Sequence, residues 1–207
     1  MKNNLIICLL ALFAFSCAGN YKPMGGSRLP AIHEGEGFKY SIVPNQLNYR
    51  NGKKYGKKMM KSNLDAVAVT IENTGDTPLI FGQDIAVQSN GIIIPTHEAE
   101  YVYSSIKQKP ATHLFYLLLT ILELNVQDGT GQTTDSYPIG VVIGPGLAIG
   151  NMAVASTANR ALNEELVAFD LKNKIVQPGQ TIGGYIYTDK SFTLNLTLKR
   201  INQGTKK

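Results

Sequence analysis

The sequence predicts a mainly β chain: an antiparallel β-sandwich interrupted by an apolar α-helical hairpin. Three observations predict it. Short segments of alternating apolar residues, each closed by a turn signal, flank the middle of the 207-residue chain. The middle holds two long runs without a single charge. Charged residues make up 17% of the chain, below the roughly one quarter of an ordinary soluble domain, and those runs account for the deficit.

Residues 38–44 read as a first strand, with Phe38, Tyr40 and Ile42 on one face. Residues 45–63 read as a polar, basic loop. Leu64–Asn73 alternates, placing Leu64, Ala66, Ala68 and Thr70 on one face and Val67, Val69 and Ile71 on the other. It ends in the turn signal Asn73-Thr74-Gly75-Asp76. Residues 78–89 read as the returning strand, bulged near Gly82. Asn90-Gly91 turns the chain into a short strand at 92–94. Residues 174–176, 181–188 and 192–200 read as closing strands, the last with Phe192, Leu194, Leu196 and Leu198 on one face.

In the middle, Thr96 is placed to cap a short helix with Glu98 and Glu100 in its first turn. Residues 111–122 are uncharged and read as the first arm of the hairpin. A Gly, Asp and Thr loop at 127–136 precedes the charge-free residues 136–159. Gly144-Pro145 is suited to open the second arm, with proline at the first helical position. Towards Phe169 this arm becomes amphipathic, Leu162, Leu166 and Phe169 lying opposite Glu164 and Glu165. Gly140 and Gly144 are four residues apart, as are Gly146 and Gly150, and Ala153, Thr157 and Ala161 extend the ridge. Such a ridge lets a second backbone approach closely, whether from the same hairpin or from another copy of the chain. As an α-helix the first arm would be ~18 Å long, short of a ~30 Å hydrocarbon core. Pro138 and Pro145 interrupt the second. The expectation is therefore an interfacial or buried hairpin rather than a pair of spans.

The N-terminus gives an address. Lys2 precedes the apolar residues 5–15, too short a run to cross a bilayer and the right length for a secretory signal. The run ends in Ala14-Phe15-Ser16-Cys17, which resembles a bacterial lipobox. The resemblance implies cleavage before Cys17 and a diacylglycerol on its thiol. The phrase VTIENTGDTPLIFGQDIAVQSNG, followed by IVQPGQTIGGYIYTD and a leucine-alternating final strand, resembles the immunoglobulin-like domains of bacterial envelope lipoproteins. It covers about 65–75 residues in two blocks and implies an immunoglobulin-like antiparallel β-sandwich with no catalytic residues. The organisation expected is a lipoprotein signal peptide at 1–16, a tether at 17–37, the first part of the sandwich at 38–96, an inserted helical region at 97–172, closing strands at 173–201 and a polar tail at 202–207. The location implied is the bacterial cell envelope, lipid-anchored at the outer membrane.

Composition narrows the chemistry. Both cysteines, Cys8 and Cys17, lie in the signal region, so residues 18–207 offer no thiol for a disulfide or a nucleophile. The net charge is +5, or +4 once Lys2 leaves with residues 1–16. Arg50, Lys53, Lys54, Lys57, Lys58 and Lys61 cluster in a stretch without acids. In an envelope, their expected counterparts are lipid headgroups or solvent, not nucleic acid. His33-Glu34-Gly35-Glu36 and His97-Glu98-Ala99-Glu100 carry metal-ligand residue types. The first lies in the tether and the second fits helix capping, so no metal and no cofactor is expected. Val141-Val142-Ile143-Gly144-Pro145-Gly146 lacks the third glycine of a dinucleotide fingerprint, Ile149 standing in its place. No catalytic residue is assigned. The expected function is that of a non-enzymatic, membrane-anchored lipoprotein that holds lipid through its acyl chains and meets a membrane or an envelope protein partner through the hairpin. Two alternatives remain: a structural subunit forming homo-oligomers through the Gly-rich helix, and a metal-dependent or ligand-binding enzyme using the His-Glu pairs.

Overall fold

A computed structural model of the protein describes residues 17–26 and 29–201, without the side chains of residues 48–50 and 52. The expected signal at 1–16, the polar tail at 202–207 and the Arg50 side chain lie outside the described residues. The chain forms two compact units. Residues 17–20 and 108–160 belong to one, and residues 21–107 with those from 161 onward to the other. Residues 108–160 of the smaller unit lie within the expected insert at 97–172.

In chain order the strands are β1 (His33–Gly35), β2 (Phe38–Val43), β3 (Leu64–Asn73), β4 (Leu79–Ile80), β5 (Ile85–Ser89), β6 (Ile92–Ile93), β7 (Leu124–Gln127), β8 (Thr133–Tyr137), β9 (Ile175–Val176), β10 (Thr181–Asp189) and β11 (Leu196–Arg200). All but β7 and β8 belong to the larger unit. One sheet has the order β1-β2-β3-β10, a second β11-β5-β6, and β4 pairs with β9; every pairing is antiparallel.

β3 lies between β2 and β10, and all its residues except Glu72 are buried. Its Val67, Val69 and Ile71 face a core shared with Phe38 and Tyr40 of β2, Ile85 and Val87 of β5 and Leu198 of β11. The opposite face carries small residues: Ala68 pairs with Tyr185 and Ala66 with Tyr187. The room left by the alanines is taken by the tyrosine rings. The Tyr187 hydroxyl donates to the Leu166 carbonyl at 2.9 Å, and that of Tyr185 donates to the Gly25 carbonyl.

Antiparallel sheets are present as the sequence predicts, but among the described residues helical ones outnumber those in strands. One reason lies at residues 45–63, expected as a loop. They form α1 (Gln46–Asn51), a π-helical turn (Gly52–Gly56) and α2 (Lys57–Lys61). Leu47, Tyr55 and Met59 are buried. Multiples of four residues separate them, so the lysines between them hid one apolar helical row. Both helices pack on β3. Residues 78–89 are a second correction. They do not return along β3 but split into β4 and β5, which join different sheets. Between them Gly82 takes a positive φ of 88°, and Asp84 accepts the Ile80 N–H at 2.7 Å. The Asn73 side chain donates to the Thr77 and Val176 carbonyls, turning the chain away from β3. The third correction concerns α3 (Ala99–Ile106). It starts after Glu98, without a side-chain cap, and only Glu100 lies in its first turn.

The segment expected as a tether is fastened. Tyr21 is buried and donates its hydroxyl to Glu165 at 2.5 Å; the other Glu165 oxygen accepts the Gly25 N–H at 2.6 Å. Glu165, expected on a solvated face, is therefore only 7% exposed. Burial, with the Glu165 carboxylate beside it, pushes the Tyr21 phenol far above its ordinary value. Asn51 clasps both backbone groups of Lys22 at 2.9 Å, and β1 adds a strand to the sheet.

Joining residue 107 to residue 161 through a short Gly-Ser linker is expected to leave the larger unit folded, since loop closure costs little. Circular dichroism and a cooperative melt check this; loss of all cooperative structure contradicts it. Asp65 gives a pH signature. Burial raises its carboxyl from 3.8 to about 6, although both oxygens accept the Asn45 N–H, at 3.1 and 3.2 Å. The folded chain thus binds the proton more tightly, and stability is expected to fall as pH rises from about 4 to about 6, by on the order of 2 kcal/mol. Urea melts should show this slope in the parent chain and a flatter profile in Asp65→Asn.

Candidate functional site

The smaller unit carries the surface that calls for a function. Residues 111–122 were expected as an α-helix; Pro110–Ile121 is instead a 3₁₀-helix. Its buried side chains are His113, Tyr116 and Leu119. That spacing of three is the signature of a 3₁₀-helix, whose side chains eclipse every third residue. The His113 and Tyr116 rings stack nearly parallel at 6.1 Å. At ~2.0 Å per residue the helix is about 24 Å long, unusual for this conformation. Its contact row is narrow. In a sequence where almost every residue is apolar, two of every three side chains are left outside.

The row packs on α4 (Gly140–Ala168). This helix starts before Gly144-Pro145 and carries Pro145 inside it, correcting the expected start. A proline there removes one rung of the hydrogen-bond ladder. The helix runs on through it, so proline does not divide the second arm, and by length and composition α4 is apolar and long enough to cross a membrane. Ala148 joins Tyr116 and Leu119 in a small core, with Leu122 against it.

The four glycines divide into two pairs. A methyl group added at Gly140 would lie 2.0 Å from the Leu119 carbonyl oxygen, and one at Gly144 would lie 3.0 Å from that of Tyr116. These two glycines let α4 approach the backbone of the 3₁₀-helix. Gly146 and Gly150 have open space around them.

What remains is exposed. Phe115 is 73% accessible, Leu118 67%, Ile121 82%, Val142 77% and Ile149 68%. The expected loop at 127–136 is mostly the antiparallel hairpin β7–β8, whose strands are exposed throughout and add Leu124, Val126 and Tyr137. Its turn is held by Asp128, whose carboxylate accepts from Thr130 and Gln132 and is kept below the usual range by those bonds. Covering one such side chain is worth ~1.5–3 kcal/mol. Monomers rarely leave a contiguous apolar patch beyond a few hundred Å² uncovered.

Cys17 is exposed and belongs to this unit. The next residue, Ala18, donates its N–H to Asn151 Oδ1 of α4 at 2.7 Å. Gln108 binds both backbone groups of Gly19, at 3.0 and 2.7 Å, and also exchanges two hydrogen bonds with Asn159 of α4. Gln108 and Asn159 are buried. No local sequence signal marks this fastening, because the partners in each pair lie 133, 89 and 51 residues apart in the chain.

The other predicted positions lie in the larger unit. Lys53, Lys57 and Lys61 are exposed at a spacing of four, on one side of a helical segment, and Lys54 and Lys58 are half-buried. The Lys58 ammonium donates to the Lys107 carbonyl. The two His-Glu pairs are engaged elsewhere. The His33 ring lies against that of Tyr40, tilted by 35° at 5.2 Å. His97 meets Asp189 at 2.8 Å, and Glu98 meets Lys172 at 2.5 Å. Among the described residues, no three His, Cys, Asp or Glu side chains lie together so as to hold a metal ion. No protein-family model, curated protein or solved structure matches the chain.

The glycine pairs give a sharp contrast. Gly140→Ala and Gly144→Ala are expected to destabilise the smaller unit, the first by more than ~2 kcal/mol, as overpacking against backbone does. Gly146→Ala and Gly150→Ala should be neutral or stabilising by up to ~1 kcal/mol, since alanine is the better helix former. Thermal melts of the four variants check the order.

Proposed function

We propose that the protein is a lipid-anchored component of a bacterial envelope, fastened through acyl chains on Cys17 and acting as a non-enzymatic interaction module. The observation that carries this reading is the exposed apolar surface of the smaller unit. An uncharged 3₁₀-helix and the first half of α4 hold Phe115, Leu118, Ile121, Val142 and Ile149 in solvent. A surface of this kind is suited to contact rather than to chemistry. In the same reading the larger unit is an immunoglobulin-like sandwich; two antiparallel sheets sharing one core support it. The engagement of His33 and His97 in ring and hydrogen-bond contacts favours a structural role for both over a catalytic one. A second reading, self-association through α4, is favoured by the open space at Gly146 and Gly150.

Mass spectrometry of the protein isolated from a bacterial host tests the anchor. The expected product begins at Cys17 and carries a diacylglycerol. A chain that keeps residues 1–16, or begins at an unmodified Cys17, overturns the anchoring.

A further inference from the structure

We propose that the apolar surface of the smaller unit docks on the hydrocarbon of the same lipid bilayer that receives the Cys17 anchor. The inference rests on the anchoring read above and names what covers that surface. Its basis is the place at which Cys17 is held. Whatever apolar group the chain carries there, acyl chains on Cys17 or the uncut apolar residues 5–15, it joins the structure at Cys17. That point is fixed on the smaller unit. Ala18 is held by Asn151 at 2.7 Å, and Gly19 by the buried Gln108. Asn151 lies on α4 next to Gly150 and two residues from the 68%-exposed Ile149. A tether would let the protein hang away from the membrane. Two short polar clasps instead leave Cys17 one residue from the helix that displays the apolar side chains, so a membrane that holds the anchor lies within reach of them. The surface fits lipid in its chemistry. Residues 111–122 and 136–159 hold no acid, lysine or arginine, Glu123, Asp135 and Arg160 lying just outside them.

The sequence contains no tryptophan, so one introduced indole is a unique reporter in the full-length chain. Phe115→Trp, Ile149→Trp and the control Ile92→Trp, from the exposed edge strand β6 of the larger unit, are expressed with the native signal. Each protein is placed in vesicles of phosphatidylethanolamine and phosphatidylglycerol, with or without brominated acyl chains. Bromine quenches an indole only inside the hydrocarbon. The expected result is emission at shorter wavelength and loss of most of its intensity for positions 115 and 149, with Ile92→Trp unchanged. The mass of the same samples reports acylation. Acylated Cys17 with no quenching at either position overturns the docking and leaves the anchor standing. Quenching without an acyl group overturns the anchor and leaves the docking. Emission at shorter wavelength that bromine does not quench, in a sample that sediments as an oligomer in detergent, overturns the docking in favour of a second copy of the chain.

Discussion

β3 has to be covered on both faces, and the larger unit is arranged around that need. Its valines and isoleucine, on alternate positions, require an apolar layer, which the second sheet supplies through Ile85, Val87 and Leu198. Its alanines on the other face admit Tyr185 and Tyr187, and α1 and α2 pack on the same strand. With both faces occupied, every apolar residue of β3 is buried within one unit. The smaller unit is different. Its own core consists of Tyr116, Leu119 and Ala148 with Leu122 against them, too little to cover two uncharged helical runs.

That imbalance follows from helix type. An α-helix of the same sequence would present a broad face to its neighbour. A 3₁₀-helix presents one row, and Gly140 and Gly144 bring α4 close enough to fill that row with backbone contact. Close packing along a thin line leaves Phe115, Leu118 and Ile121 outside. The exposure of these three side chains is thus a consequence of local geometry.

Much of the strand pattern was legible. β3 runs over the residues its alternation predicts, and β10 and β2 nearly so, because a period of two is written into each of them. Partner choice was not legible: residues 78–89 end up in two sheets, since a turn signal fixes a reversal but not the strand on the far side. The 3₁₀-helix was hidden because a run with almost no polar residue has no period to read. α1 and α2 were hidden by lysines around a sparse apolar row. The N-terminal segment reads as a linker by its glycines and prolines, yet Glu165, Asn51, Asn151 and Gln108 fasten it. Such long-range hydrogen bonds between single residues leave no trace in local composition. Of the candidate site, the sequence showed the charge-free runs and Cys17, and it did not show that the two belong to one unit.

The central claim is that the anchor and the apolar surface meet the same bilayer without a spacer. Neutron reflectometry on a supported bilayer carrying the acylated protein measures this most directly, because it resolves the water between a membrane and a protein layer. The account predicts protein density that begins within the headgroup and outer hydrocarbon layers, with no intervening water. A hydrated gap between the bilayer and the protein would contradict it.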